Sequence, residues 1–201
     1  MLATHVTNAI INSHIIRNHK IIDTKTFTEY SFGCITNQKM WRNKMTEGCD
    51  MIASLQNLPE IQVADTIKIK RAFVGEKDDI LEFVESKFGK HWRGEVEHAM
   101  MQELPKCFIA TENGKLIGFA CYDATAKGFF GPIGIDPEKR GGNVGKALLV
   151  RTLNAMREYG YAYAIIGWVK SAEMFYRKTV NAEFIKGGNP ENSIYSNLIS
   201  M

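Results

Sequence analysis

The sequence predicts an α/β protein of the α+β type, in which helices pack on a mixed sheet. Two observations carry this prediction. Short strand patterns and amphipathic helical patterns follow one another over residues 67–185, and a strong hairpin signal lies among them. In the hairpin, Asn113 and Gly114 separate two apolar runs, and an Asn-Gly pair suits the tight turn of a β-hairpin.

One strand and two helices are predicted before the hairpin. Residues 67–74 alternate apolar and charged side chains, which predicts a strand. Residues 76–88 carry acidic residues in the first turn and apolar residues at helical spacing, and Gly89 follows them. Residues 91–104 repeat the helical spacing until Pro105, a residue that stops a helix.

Strands and helices alternate after the hairpin. Residues 128–137 predict a short strand that an Asp-Pro pair ends, and residues 144–160 predict a helix with leucines on one side. Residues 161–169 predict a buried strand, residues 171–180 a short helix and residues 182–185 a final strand.

Length and composition indicate an ordinary globular protein. The chain has 201 residues, of which 45% are hydrophobic and 23% charged, and its formal net charge is +3. So small a charge does not indicate nucleic-acid binding, and no apolar run approaches the roughly 20 residues that span a bilayer. The four cysteines show neither metal-binding spacing nor a disulfide pattern, so we expect no metal and a cytoplasmic location.

Residues 140–149, RGGNVGKALL, form a glycine-rich loop that runs into an apolar helical segment, an arrangement typical of phosphate binding. A P-loop is excluded, because Arg140 replaces its first glycine and Ala147 replaces its metal-binding hydroxyl residue. A dinucleotide-binding loop is excluded too, because the spacing G-x-G-x-x-G does not occur.

A third interpretation rests on geometry, in which the segment is a short loop that connects a strand to a helix. The first backbone N–H groups of a helix have no partner within it and point out of its N-terminus. Gly141 and Gly142 let a ligand approach the backbone closely, and Arg140 and Lys146 add positive charge to the helix dipole. The sequence therefore predicts a pyrophosphate site that needs no metal.

The segment IDPEKRGGNVGKALL resembles the acetyl-CoA motif of the GNAT N-acetyltransferase superfamily, V-x-P-x-x-[RQ]-G-x-G-x-[GA]-x-x-L-[LM]. The positions that fit are Ile135, Pro137, Arg140, Gly141, Gly145, Leu148 and Leu149. Asn143 replaces the second glycine of the motif, and asparagine is the next most tolerant residue of unusual backbone angles.

A second segment, AEMFYRKTVNAEFI, resembles the family pattern A-x-x-x-Y-x-x-x-G-[AF], with Ala172 and Tyr176 in register and Asn181 in place of the glycine. Many family members also carry an asparagine where this chain has Val169. The order of predicted strands and helices matches the family as well. The resemblance therefore implies a GNAT-like, mostly antiparallel mixed sheet flanked by helices.

The resemblance implies an acetyl-CoA-dependent N-acetyltransferase, an acyltransferase, over residues 66–201, with residues 1–65 as an N-terminal extension. Strand backbone before the glycine loop would bind the pantetheine arm and the acetyl carbonyl, and the loop would bind the pyrophosphate. Acetyl-CoA is the expected co-substrate. Its expected binding residues are Ile133, Gly134, Ile135, Arg140, Gly141, Gly142, Asn143, Val144, Gly145 and Lys146.

The resemblance also implies direct attack of an acceptor amine on the thioester. Tyr176 is the expected general acid, because a phenol with a pKa near ~10 can protonate a leaving thiolate. Tyr122 and Asp123, at the end of the second hairpin strand, are the expected acceptor-binding residues. The general base stays open among four residues, Asp123, His91, Glu97 and His98.

The expected acceptor is the primary amine of a small molecule or of a protein, and the sequence does not name it. We expect no nucleic-acid or membrane partner, and a homodimer is left open. A non-catalytic CoA-binding or sensor module is the alternative, which the departures at Asn143 and Val169 keep open. A protein-interaction domain, in which residues 1–48 dock a partner, is a third class.

Overall fold

Seven strands form one mixed sheet in the computed structural model, which describes residues 49–197. They are β1 (Met51–Ser54), β2 (Ile67–Arg71), β3 (Cys107–Glu112), β4 (Lys115–Tyr122), β5 (Phe129–Ile135), β6 (Tyr163–Ile166) and β7 (Glu183–Phe184). Their order across the sheet is β2-β3-β4-β5-β6-β1-β7. β5 and β6 run parallel, and the other neighbours run antiparallel. The predicted α/β class with a mixed, mostly antiparallel sheet is confirmed.

The same residues contain four α-helices: α1 (Lys77–Phe88), α2 (Lys90–Met100), α3 (Val144–Glu158) and α4 (Glu173–Val180). Side chains of a strand point alternately to the two faces of a sheet. On one face Ile109 and Phe119 pack with α1 and α2, and on the other Phe108 and Ala120 pack with α3. Each large apolar side chain buried in this way stabilises the fold by about 1.5–3 kcal/mol. None of the described helices is both long enough and apolar enough to cross a membrane.

The predicted turn of the hairpin is confirmed. Glu112 of β3 pairs with Lys115 of β4, and the two residues between them have positive φ angles, 50° at Asn113 and 81° at Gly114. Positive φ at both central residues defines the hairpin turn that Asn-Gly favours.

The second helix is shorter than the sequence predicts. It ends at Met100, whereas the pattern runs to residue 104. The chain turns earlier because the Lys106 N–H donates to the Ala99 carbonyl oxygen, at 2.9 Å, as it enters β3.

Strand β1 has no counterpart in the sequence analysis, which assigns no element to residues 51–54. Met51 pairs with Ile166 of β6 on one side and with Phe184 of β7 on the other. Four residues are too few for a periodic pattern to stand out, although burial alternates along them. The expected boundary after residue 65 stays a prediction, and β1 lies upstream of it within the sheet. Residues 1–48 of the expected extension lie outside the described residues.

The sheet opens between β5 and β6. The two strands pair only through Phe129 with Ile165 and Phe130 with Ile166. β6 ends there, whereas β5 continues along β4 to Ile135. Among the described residues, the second half of β5 therefore has no strand on its β6 side, and a cleft begins where the two strands part.

Candidate active site

The free edge of β5 is one wall of a cleft of about 1150 Å³. Its other walls come from the end of α1, from α2, from the glycine loop, from the segment after β6 and from the region of α4. The cleft therefore gathers residues from distant parts of the chain, including both segments on which the family resemblance rests.

Ile133, Gly134 and Ile135, the strand residues expected to bind the pantetheine arm, all line the cleft. A Cβ atom added at Gly134 would lie 2.6 Å from Phe88 Cζ and 2.8 Å from Phe119 Cε1. Real Cβ atoms do not come so close to ring carbons, because an interior this dense has no room for them. The rings packed against β5 therefore require a glycine at position 134. This requirement is additional to the close ligand approach that the sequence predicts.

Three consecutive residues of the glycine loop have positive φ angles: 113° at Gly141, 53° at Gly142 and 62° at Asn143. Asn143 stands at the N-cap of α3 in the left-handed conformation. Asparagine occupies this region far more readily than most non-glycine residues. Asparagine is therefore compatible with the positive φ angle at this position of the loop.

The turn leaves backbone donors free at the start of α3. The Val144 N–H donates to the Gly141 carbonyl oxygen at 3.3 Å. In the part of the chain that the structure describes, the next two N–H groups, of Gly145 and Lys146, donate to no acceptor. Free N–H groups at a helix N-terminus are suited to the oxygen atoms of a phosphate.

Positive charge accompanies these donors. Arg140 and Lys146 line the cleft, and both are exposed. Neither forms an ion pair with any other residue in the range 49–197, so both charges can meet an anion. Val144 differs from its neighbours, because its side chain is buried against the core and does not line the cleft. We therefore leave Val144 out of the proposed site.

Tyr176 of α4 lines the cleft and is only 7% exposed. Its ring packs edge-on against Phe130 and Phe175, with centroids 6.3 Å and 5.0 Å away. Burial, followed by the nearby Tyr195, raises the pKa of Tyr176 well above the usual tyrosine value. Its hydroxyl makes no hydrogen bond to any described residue, so its proton is available to a group in the cleft.

Tyr122 and Asp123 do not line the cleft. Tyr122 is fully buried. The Asp123 carboxylate accepts hydrogen bonds from Lys106 Nζ at 2.7 Å, the Gly128 N–H at 2.7 Å and the Tyr161 hydroxyl at 2.9 Å. Asp123 therefore links the turn after β4 to Lys106 and Tyr161 through hydrogen bonds. These contacts give no support to its predicted role in acceptor binding.

Asp123→Ala should lower the free energy of unfolding by about 3–5 kcal/mol, because it removes the partner of a buried ammonium group. The Lys106 side chain is 9% exposed, and burial alone would lower its pKa. Its hydrogen bond and charge interaction with Asp123 reverse that effect and hold the pKa above the usual value. Urea unfolding measures the loss. If the unfolding free energy is unchanged and KM for the amine is raised, Asp123 binds the acceptor and does not stabilise the fold.

His91 is the only one of the four candidate bases that lines the cleft. Asp123 is engaged as described above, and Glu97 pairs with Arg93 at 3.4 Å. His98 is exposed and contacts a glutamine side chain of its own helix. The structure therefore does not bring the four candidates together.

Sequence reasoning misses three residues that the fold brings together, Glu95, Thr125 and Tyr195. Glu95 and Tyr195 line the cleft. Thr125 Oγ1 donates to Glu95 Oε1 at 2.6 Å and accepts from the Tyr195 hydroxyl at 3.1 Å. The sequence offers one signal for Glu95. It lies three residues after Trp92 and four after His91, so these three residues of the predicted helix share one face.

Residues 76–180, just over half of the chain, match the model of the Acetyltransferase (GNAT) family. The chain belongs to this family of acetyltransferases. Within residues 49–197, no group of three or more His, Cys, Asp or Glu side chains could hold a metal ion.

Solved structures of GCN5-related N-acetyltransferases share the fold. The protein from Sphaerobacter thermophilus is 19% identical with a TM-score of 0.56, over 68% of this chain and 47% of that chain. The protein from Kribbella flavida is 14% identical with a TM-score of 0.53, over 69% of this chain and 55% of that chain. The glucosamine N-acetyltransferase region of a fungal multi-domain GH3 β-N-acetylglucosaminidase is 15% identical with a TM-score of 0.54, over 82% of this chain and 22% of that chain.

These similarities concern the fold. The chain spans about half the length of the two bacterial proteins, 47% and 55%, and 22% of the fungal one. A comparison with curated proteins finds no match.

Proposed function

We propose that the protein transfers an acetyl group from acetyl-CoA to the primary amine of a small molecule or a protein. The observation that carries this proposal is that one cleft contains both the free donors at the start of α3 and the hydroxyl of Tyr176. The first feature suits a pyrophosphate and the second suits a leaving thiolate. We keep a cytoplasmic location as part of the proposal, since the described cysteines, Cys49, Cys107 and Cys121, are free thiols.

The residues present fit acetyl-CoA. The free N–H groups of Gly145 and Lys146 and the positive charges of Arg140 and Lys146 suit the pyrophosphate. The free edge of β5 offers unpaired backbone groups to the pantetheine arm, as an edge strand does to any extended chain. When bound, acetyl-CoA supplies the thioester that the acceptor amine attacks.

The chain itself orients the reactants and moves a proton. The backbone of residues 133–135, which lines the cleft, would position the thioester for attack by the acceptor. The acceptor would attack as the neutral amine, after losing its ammonium proton. As the N–C bond forms and the C–S bond breaks, Tyr176 would donate its proton to the leaving sulfur and regain one from the acylated nitrogen. The raised pKa of Tyr176, caused first by burial, keeps the proton on the oxygen until negative charge develops on the sulfur.

A thiol-release assay with acetyl-CoA and a panel of primary amines tests this proposal. We expect CoA release that depends on the amine and exceeds the hydrolysis seen without it. Calorimetry in parallel measures acetyl-CoA binding. Binding without release for every amine would favour the alternative, a non-catalytic CoA-binding module. Of the two departures that favour that alternative, the one at Asn143 suits the positive φ angle of its position, so Val169 is the departure that still supports it.

A further inference from the structure

Part of the cleft lies beyond the features assigned so far. Trp92 and Glu95 of α2, Trp168 after β6 and Tyr195 all line it. We call these four residues the acceptor end. Tyr176 lines the same cleft, and Tyr195 is, after burial, the second cause that raises the pKa of Tyr176.

Packing holds Tyr195 in place. Its ring centroid lies 6.1 Å from that of Trp168 and 6.5 Å from that of Phe129. A Cβ atom added at Gly167 would lie 2.4 Å from Tyr195 Cε2, so the ring lies directly over this glycine. The ring of Tyr195 is therefore held by contacts with Trp168, Phe129 and Gly167.

The buried carboxylate of Asp50 holds the Trp168 backbone and the Ser193 side chain in place. Asp50 Oδ1 accepts from the Trp168 N–H at 2.8 Å and from Ser193 Oγ at 3.1 Å, and Asp50 is only 7% exposed. Trp168 has a φ angle of 54°, which is unusual for a bulky residue. Strained residues of this kind persist where the surrounding contacts hold them, often at binding sites.

The hydrogen bonds at the acceptor end have a fixed direction. The Tyr195 hydroxyl donates to Thr125, and the Thr125 hydroxyl donates to Glu95 Oε1. Both hydroxyl protons are therefore used in these two hydrogen bonds and are not available to a ligand. Glu95 Oε2 accepts no hydrogen bond from a described residue and forms no ion pair within them, although the residue is half-buried. A half-buried carboxylate of this kind gains from a cation that reaches it from the cleft.

Charge along the cleft is divided by sign. Arg140 and Lys146 lie at the glycine loop, where they suit an anion. Glu95 is the carboxylate among the described lining residues, and the lysine and arginine among them are Lys146 and Arg140. Trp92 and Trp168 add aromatic surface, and such surface attracts cations as well as apolar groups.

We infer that Glu95 is the counter-ion of the acceptor's ammonium group, and that the acceptors are amines on an apolar or aromatic chain without a carboxylate beside the amino group. An α-amino acid would bring its own carboxylate toward Glu95, where no described lysine or arginine offsets it. Like charges placed together reject a ligand strongly. This inference rests on the proposed function and names the substrate class for the same site.

Two probes that differ by one carboxylate test the inference: 2-phenylethylamine and L-phenylalanine. For the unmodified protein, kcat/KM should favour 2-phenylethylamine by at least about 100-fold. Glu95→Gln keeps the acceptor for Thr125 and removes the charge. It should raise KM for 2-phenylethylamine by about 10- to 100-fold, leave KM for acetyl-CoA unchanged and reduce the preference between the two probes.

Glu97→Gln is the matched control, because Glu97 lies on the same helix outside the cleft lining and should change none of these values. Calorimetric binding of 2-phenylethylamine to the CoA-loaded protein is measured alongside turnover. If 2-phenylethylamine binds, Glu95→Gln weakens this binding and no CoA is released, then the inference stands and the proposed function is rejected. Equal use of both probes, or an unchanged KM in Glu95→Gln, would overturn the inference while catalysis stands.

Discussion

Tyr176→Phe is expected to lower kcat by about 10²–10⁴-fold, the usual contribution of a general acid, and to leave the Kd for acetyl-CoA nearly unchanged. The substitution removes only the hydroxyl, so the ring contacts with Phe130 and Phe175 remain. No hydrogen bond to a described residue is lost, so the free energy of unfolding should not fall. Thiol release measures the first quantity and calorimetry the second.

The pH dependence of kcat adds a second measurement on Tyr176. Burial, and then Tyr195, raises its pKa above the usual value near ~10. An acid works below its pKa, so Tyr176 should stay protonated and cause no loss of kcat between about pH 7 and 10. Tyr163→Phe, at an exposed tyrosine that does not line the cleft, is the control. A kcat unchanged by Tyr176→Phe would rule out the assignment of Tyr176.

Most of the fold is predictable because its elements are locally encoded. The Asn113-Gly114 turn fixes the hairpin through two residues, and the helices of residues 77–88 and 144–158 show their apolar faces over several turns. β1 is not predictable in this way. It has four residues, and its place between β6 and β7 depends on partners more than 100 positions away in the chain.

The same contrast separates the two parts of the candidate site. The pyrophosphate loop is contiguous, so its glycines and basic residues can be recognised together, and even Asn143 is explained by a single backbone angle. The acceptor end joins residues 95, 125 and 195, and a linear pattern gives no reason to link them. Asp123 follows β4, the neighbour of β5, and its carboxylate contacts Lys106 outside the cleft lining, so its predicted role in acceptor binding stays a prediction.

Gly145→Glu is expected to raise the Kd for acetyl-CoA by at least about 100-fold, because like charges brought together cost several kcal/mol. Gly145 lines the cleft at the start of α3, where its N–H is among the free donors. The introduced carboxylate is attracted to the same N–H groups and to the positive end of the helix dipole. It therefore competes for the pyrophosphate position and repels the ligand, while the helix itself is not weakened.

Gly145→Ala and Gly145→Gln separate space from charge in this test. A Cβ atom at this position would lie 3.6 Å from Ile135 Cγ1 and 3.7 Å from Phe175, which is ordinary contact, so the alanine variant should fold and bind acetyl-CoA. The glutamine variant matches the glutamate in size without its charge and should bind more tightly than the glutamate variant. That difference should shrink in 1 M salt, because screening at about 3 Å weakens charge repulsion. Near-native calorimetric binding by Gly145→Glu would contradict the assignment of the loop, since no pyrophosphate can share the start of α3 with a carboxylate.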